Sequence, residues 1–325
     1  MHRLFVNLAR LGTLLALFVV VVGAWVRLTD AGLGCPDWPG CYGQLTVPET
    51  LSAEMMANPE LGGARALEPE KAWNEMFHRY IASTLGLIVV ALAVLAWMNR
   101  RDPAQPLKVP AVLLIVVIFQ GLLGMWTVTL LLKPIIVVAH LLGGLTTLAL
   151  LFWLARVRTE PIWAASRLQL PAVIALAALA LQLFLGGWTS ANYAALACPD
   201  FPTCQTQWWP AVADFDEGFV LWREVGVDYE GGVLEHPARV AIHFVHRLGA
   251  IIATLAIGWL AMRLIQQPSA RRDGVAILIA LLAQLSIGAA VVLLGVPLSV
   301  AVAHNGVAAV LLLTVINAHK RIWQE

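Results

Sequence analysis

Eight apolar stretches, each long enough to cross a bilayer, leave this chain one class of fold. A spanning helix needs about 20 apolar residues. Such runs fall at 5–26, 81–98, 109–132, 135–155, 168–189, 240–262, 275–294 and 298–318. In hydrocarbon every backbone polar group needs an internal partner, so the runs predict α-helices and an all-α, polytopic membrane protein. The composition fits: of 325 residues, 60% are hydrophobic and 13% charged, with a mean hydropathy of +0.78. The first run carries Arg10 and no small-residue cleavage site follows it, so it reads as a retained span, not a signal peptide.

Lys and Arg set the expected orientation. Arg3, Arg10, Arg100, Arg101, Lys108, Arg156, Arg158, Arg167, Arg263, Arg271, Arg272, Lys320 and Arg321 fall on one side, with both termini, which should be cytoplasmic. The other side has two long loops, 29–77 and 190–239, which hold most of the acids, among them Asp214, Asp216, Glu217, Glu224, Asp228, Glu230 and Glu235. Residues 48–56 could form a short surface helix there. The net charge of +1 gives no footprint for nucleic acid.

The chain also repeats itself. Gly23-Ala24-Trp25 precedes Cys35-Pro36-Asp37-Trp38-Pro39-Gly40-Cys41, and Gly186-Gly187-Trp188 precedes Cys198-Pro199-Asp200-Phe201-Pro202-Thr203-Cys204. His78-Arg79 answers His246-Arg247, and Val138-Ala139-His140 answers Val302-Ala303-His304. Four spans per half return the chain to its starting side, so the halves share one orientation. Two four-helix bundles, 1–158 and 159–325, related by a pseudo-two-fold axis along the membrane normal, are expected. Gly143-Gly144 and Gly186-Gly187 would let helices approach closely, and Trp25 and Trp188 fit interfacial anchoring.

His78, His140, His246 and His304 fall near the outer ends of four helices that run in the same direction. In each half two imidazoles lie at similar depth, as bis-histidine ligation of a heme requires. A lone buried histidine is more often hydrogen-bonded structure than a ligand. Four at duplicated positions argue for ligation, because histidine in an apolar span is costly unless it serves something. Zinc fits poorly: neither pair has a third partner near in sequence except Glu75 or His243. Arg79 and Arg247 could pair with heme propionates or snorkel to headgroups. Glu75 precedes His78 by three residues and so shares its helix face; the second half has His243 there. A carboxylate beside a heme could serve as a base, or simply favour a helix N-terminus. The asymmetry points to chemistry in the first half and electron transfer in the second, with His243 hydrogen-bonding near its heme or ligating it. His2, His319 and His236 are expected to be solvated, and Glu70 ranks below Glu75.

Each outer loop holds a C-x5-C pair. Outside the cytoplasm this spacing suits a structural staple, with a redox-active pair as the alternative.

Together these residues resemble the heme A synthase family over nearly the whole chain. The resemblance rests on eight spans in two halves, Glu75-x-x-His78-Arg79, His140, His246-Arg247, His304 and the two C-x5-C pairs. It implies oxidation of the C8 methyl of heme O to a formyl group through a hydroxymethyl intermediate, for cytochrome oxidase assembly. Carried over, His78 and His140 would ligate heme O or its product heme A, with Glu75 catalytic, and His246 and His304 would ligate a heme B cofactor. Cys35/Cys41 and Cys198/Cys204 would be disulfides. The resemblance further implies a bacterial inner membrane, a farnesyltransferase (heme O synthase) upstream, oxidase assembly factors, an external electron acceptor, lipid contact and a possible homo-oligomer. The rival classes are a di-heme b electron-transfer cytochrome, a membrane thiol–disulfide oxidoreductase and a proton-coupled transporter.

Overall fold

A computed structural model describes residues 2–58, 66–156, 162 and 166–323. Its elements are α1 (His2–Leu28), α2 (Ala53–Ala57), α3 (Pro69–Met98), α4 (Lys108–Thr129), α5 (Pro134–Ala155), α6 (Ser166–Ala191), α7 (Phe215–Gly218), α8 (His236–Ile265), α9 (Arg271–Leu293) and α10 (Leu298–Ile322). Eight of these are long and apolar enough to cross a membrane, and no strand occurs among the described residues. The protein is all-α and multi-pass. The short α2 overlaps the segment 48–56 expected to be helical and extends one residue past it.

Hydropathy misplaces two helix starts. α3 begins at Pro69 rather than near residue 81, and α8 at His236 rather than near 240. Both have proline in the first turn, and α3 adds Glu70 there. Proline's missing N–H costs nothing at that position, and an acid suits the positive end of the helix. The polar turns so added carry Glu75, His78 and Arg79, which puts His78 in the third turn of α3 rather than at its end.

By its contacts the chain forms two units, Met1–Thr147 with Leu221–Val233, and Leu148–Val220 with Leu234–Glu325. The expected boundary at 158/159, with Arg158, lies outside the described residues. In the first unit α1 packs on α3 and α3 on α4. This unit includes part of the second long loop, Leu221–Val233. Tyr229 is buried with Leu33, Val128 and Leu132, and its N–H donates to the Leu131 carbonyl at 3.0 Å. The buried Lys133 ammonium sits 3.7 Å from the Trp222 ring centroid, a desolvated cation–π contact.

In the second unit α6, α8, α9 and α10 pack in a closed ring, each on the next. At one end of that ring Arg321 pairs with Asp273, which also accepts from Asn317 at 2.7 Å. His319, expected in solvent, is buried there instead. It stacks on Trp323 with centroids 5.1 Å apart, and its Nδ1 lies 3.1 Å from the Val315 carbonyl. Trp188 also departs from expectation. It is fully buried, donates from Nε1 to the Gly218 carbonyl at 2.9 Å and stacks on Phe184. Trp25 is 43% exposed, as an interfacial residue would be.

Candidate functional site

The two cysteine loops fold alike. Cys35–Cys41 and Cys198–Cys204 are disulfides, with Cα separations of 4.8 and 4.6 Å. Each ends in a small bridge, Cys41 to Gln44 and Cys204 to Gln207. The prolines after Trp38 and Phe201 are both cis. Tyr42 and Gly43 in one loop, and Gln205 and Thr206 in the other, have left-handed backbones. Their N–H groups therefore converge as a nest on one carboxylate. Asp37 accepts from Tyr42 at 2.6 Å and Gly43 at 2.9 Å; Asp200 accepts from Gln205 at 2.8 Å and Thr206 at 3.0 Å. Partial burial opposes charge on Asp200, but these bonds and the Thr203 hydroxyl outweigh it and hold the carboxyl below its usual range.

An arginine ties each loop to the helix below it. Arg79 on α3 donates to the carbonyls of Asp37 (2.9 Å) and Gly40 and pairs with Glu75. Arg247 on α8 donates to the carbonyls of Asp200 (2.8 Å), Thr203 (2.6 Å) and Cys198 (2.7 Å). The guanidinium fork suits several diverging carbonyls at once. Glu75 and His243, the unlike residues at matching positions, have like partners. Glu75 accepts the Cys35 N–H at 2.9 Å beside Arg79, and His243 accepts the Cys198 N–H at 3.3 Å beside Arg247 Nε, also at 3.3 Å. Both are buried. Glu70 is exposed and lines a cavity of about 450 Å³ with Thr29, Lys71 and Asn74. His236 is exposed, 3.2 Å from Gln205.

His78 and His140 lie in the first unit, His246 and His304 in the second. All four are half-buried. Each faces a glycine on the preceding membrane helix. A Cβ built on Gly23 would stand 3.0 Å from His78 Nε2, one on Gly124 3.6 Å from His140 Cε1, one on Gly186 3.3 Å from His246 Cε1 and one on Gly288 2.9 Å from His304 Cε1. The imidazoles thus occupy notches that a side chain would close.

These residues fit a heme in each unit. His140 Nδ1 and His304 Nδ1 are buried without a hydrogen-bond partner, a costly state that a ligand or a proton acceptor would relieve. Among the described residues no three His, Cys, Asp or Glu side chains converge as a metal cluster; paired imidazoles in apolar surroundings suit axial ligation of heme. The sequence reading missed the loop-clamping role of Arg79 and Arg247. The repeated Asp and Arg beside the repeated cysteines carried that signal.

A family model described as cytochrome oxidase assembly protein matches residues 7–316. A heme A synthase of Shewanella oneidensis is 42% identical over 324 residues, covering 98% of this chain and 96% of that protein. A heme A synthase of Mesorhizobium japonicum is 30% identical over 92% of this chain and 85% of its own length. One from Halalkalibacterium halodurans is 28% identical over 97% and 95%.

Proposed function

The chain belongs to the heme A synthase family of cytochrome oxidase assembly proteins, and on that premise we propose that its first unit oxidises heme O while its second holds a heme B. The activity is that of an oxidoreductase converting heme O to heme A. The observation that carries the assignment of residues is the pairing of two notched histidines within each unit.

In the first unit His78 and His140 would hold the substrate heme through its iron. Oxidation of the C8 methyl to a formyl group then takes its oxygen from water and releases four electrons and four protons, in two two-electron stages through the hydroxymethyl compound. Glu75 accepts protons in this sequence; Arg79 and the Cys35 N–H fix the carboxylate on one side. In the second unit His246 and His304 would hold a heme B, which would supply one-electron relay chemistry towards an external acceptor. His243, which cannot hold negative charge, occupies the matching position and serves the loop alone.

The cysteine pairs act as staples. All four sulfurs are buried, and inaccessible cysteines are poor partners for thiol exchange. The Lys and Arg distribution supports a bacterial inner-membrane protein with cytoplasmic termini and outward-facing loops. Heme O arrives from the farnesyltransferase that makes it, and heme A leaves toward oxidase assembly factors.

Extraction and mass identification of the hemes in purified protein tests this. Heme B with heme O, its hydroxylated form or heme A is expected; heme B alone after co-expression with a heme O supply would sink the substrate assignment. Glu75→Gln should keep heme O bound, because an amide still accepts the Cys35 N–H, and should make no heme A. Normal heme A from that variant would remove Glu75 from the chemistry.

A further inference from the structure

The glycine facing each histidine is the second half of a longer pattern. One turn earlier on the same helix stands Gln120 on α4, Gln182 on α6 and Gln284 on α9, but Val19 on α1. Three of the four histidines therefore have a glutamine beside them. Gln182 Nε2 lies 3.1 Å from both Nδ1 and the carbonyl oxygen of His246. Gln284 Nε2 lies 3.3 Å from a ring nitrogen of His304. Gln120 Nε2 donates to the His140 carbonyl at 2.9 Å. In all three the carboxamide oxygen is buried without a partner. Two further glycines make room for these amides: a Cβ on Gly143 would collide with Gln120, and one on Gly249 with Gln182, each one turn beyond the histidine served. His78 has no such neighbour, and its ring bonds to the main chain of Val19.

An imidazole that ligates a metal through one nitrogen carries a proton on the other, and the partner of that proton fixes the ring's tautomer and orientation. A carboxamide suits this place, because rotation about its last bond presents either the oxygen as acceptor or the nitrogen as donor. The unpartnered oxygens of the three glutamines are the acceptors that protonated ring nitrogens would need. We infer that Gln182 and Gln284 are positioning residues for His246 and His304 and that Gln120 is one for His140, while the ring of His78 is held by the main chain of Val19 instead. The inference rests on the heme reading above and extends it. In the second unit both axial ligands are held, as a resident cofactor needs. In the first unit a glutamine serves His140 and a main-chain carbonyl serves His78.

The test uses the full chain, purified with its hemes. Gln182→Leu should weaken retention of the second-unit heme by about 10–100-fold, the usual cost of losing such a partner, and raise its midpoint potential. Gln182→Glu, which offers a stronger acceptor to the ring N–H, should lower the potential below the parent value and shift the low-spin EPR signal with it. If both variants lose thermal stability while potential and EPR signal stay fixed, the glutamine is only packing and the inference fails. Gln120→Val should speed transfer of the first-unit heme to apomyoglobin. Unchanged transfer would overturn the role given to Gln120. Failure of the parent protein to hold any second-unit heme would instead overturn the heme reading.

Discussion

At the scale of single residues, the position shared by Glu75 and His243 carries the most information. Both accept the N–H of the first loop cysteine and both touch the following arginine, so one structural task is done by an anion in one unit and an imidazole in the other. The consequences of removing the arginine should differ. Arg79→Ala leaves a buried carboxylate without its cation, an uncompensated charge worth about 3–5 kcal/mol. Arg247→Ala strands only neutral acceptors, at about 1–3 kcal/mol. Thermal unfolding in detergent should rank the two in that order. Asp200 gives a pH dependence. Its folded pKa is depressed, so its contribution is complete above the unfolded value of about 3.9 and is lost as pH falls through the folded one. Limited proteolysis of the second loop should accelerate in acid, and Asp200→Asn should flatten that response. The sequence made the carboxylate and imidazole at matching positions legible. Their common partner was not, because a hydrogen bond from residue 35 to residue 75 leaves no local pattern.

At the scale of elements, the helix pairs are built around a glycine and a histidine. The separations predict a graded response to a single added methyl group. Gly288→Ala and Gly23→Ala, with contacts of 2.9 and 3.0 Å, should displace His304 and His78 and lower heme content sharply. Gly186→Ala, at 3.3 Å, should be milder, and Gly124→Ala, at an ordinary 3.6 Å, nearly silent. Absorbance per protein at the Soret band would rank them. The apolar runs announced these helices, and Gly186-Gly187 announced close packing. The four-fold Gly–His arrangement stayed hidden because its spacing is irregular: 16 residues for Gly124–His140 and Gly288–His304, but 55 and 60 where the long loops intervene. The early starts of α3 and α8 were hidden for a different reason. Their first turns are polar, so a hydropathy window ends before the helix does.

At the scale of the molecule, the division of histidines between units predicts separable losses. His246→Ala with His304→Ala should remove heme B and leave heme O bound, whereas His78→Ala with His140→Ala should do the reverse; extracted hemes from each double variant check this. The sequence repeat made two such units readable, but not the membership of 221–233 in the first. Those residues lie within the second long loop, and only the burial of Tyr229 beside Leu33 and Val128, with its bond to Leu131, reveals where they belong. That attachment orders events during synthesis. A ribosome that has finished the first repeat has not yet made the piece that covers Lys133 and fills the space around Leu132. The first unit can close only after α6 and the loop following it have been made. A chain halted at residue 156 would be trapped half-built, whatever the quality of its four helices, and should be a substrate for membrane quality-control proteases until a fragment carrying 221–233 is supplied.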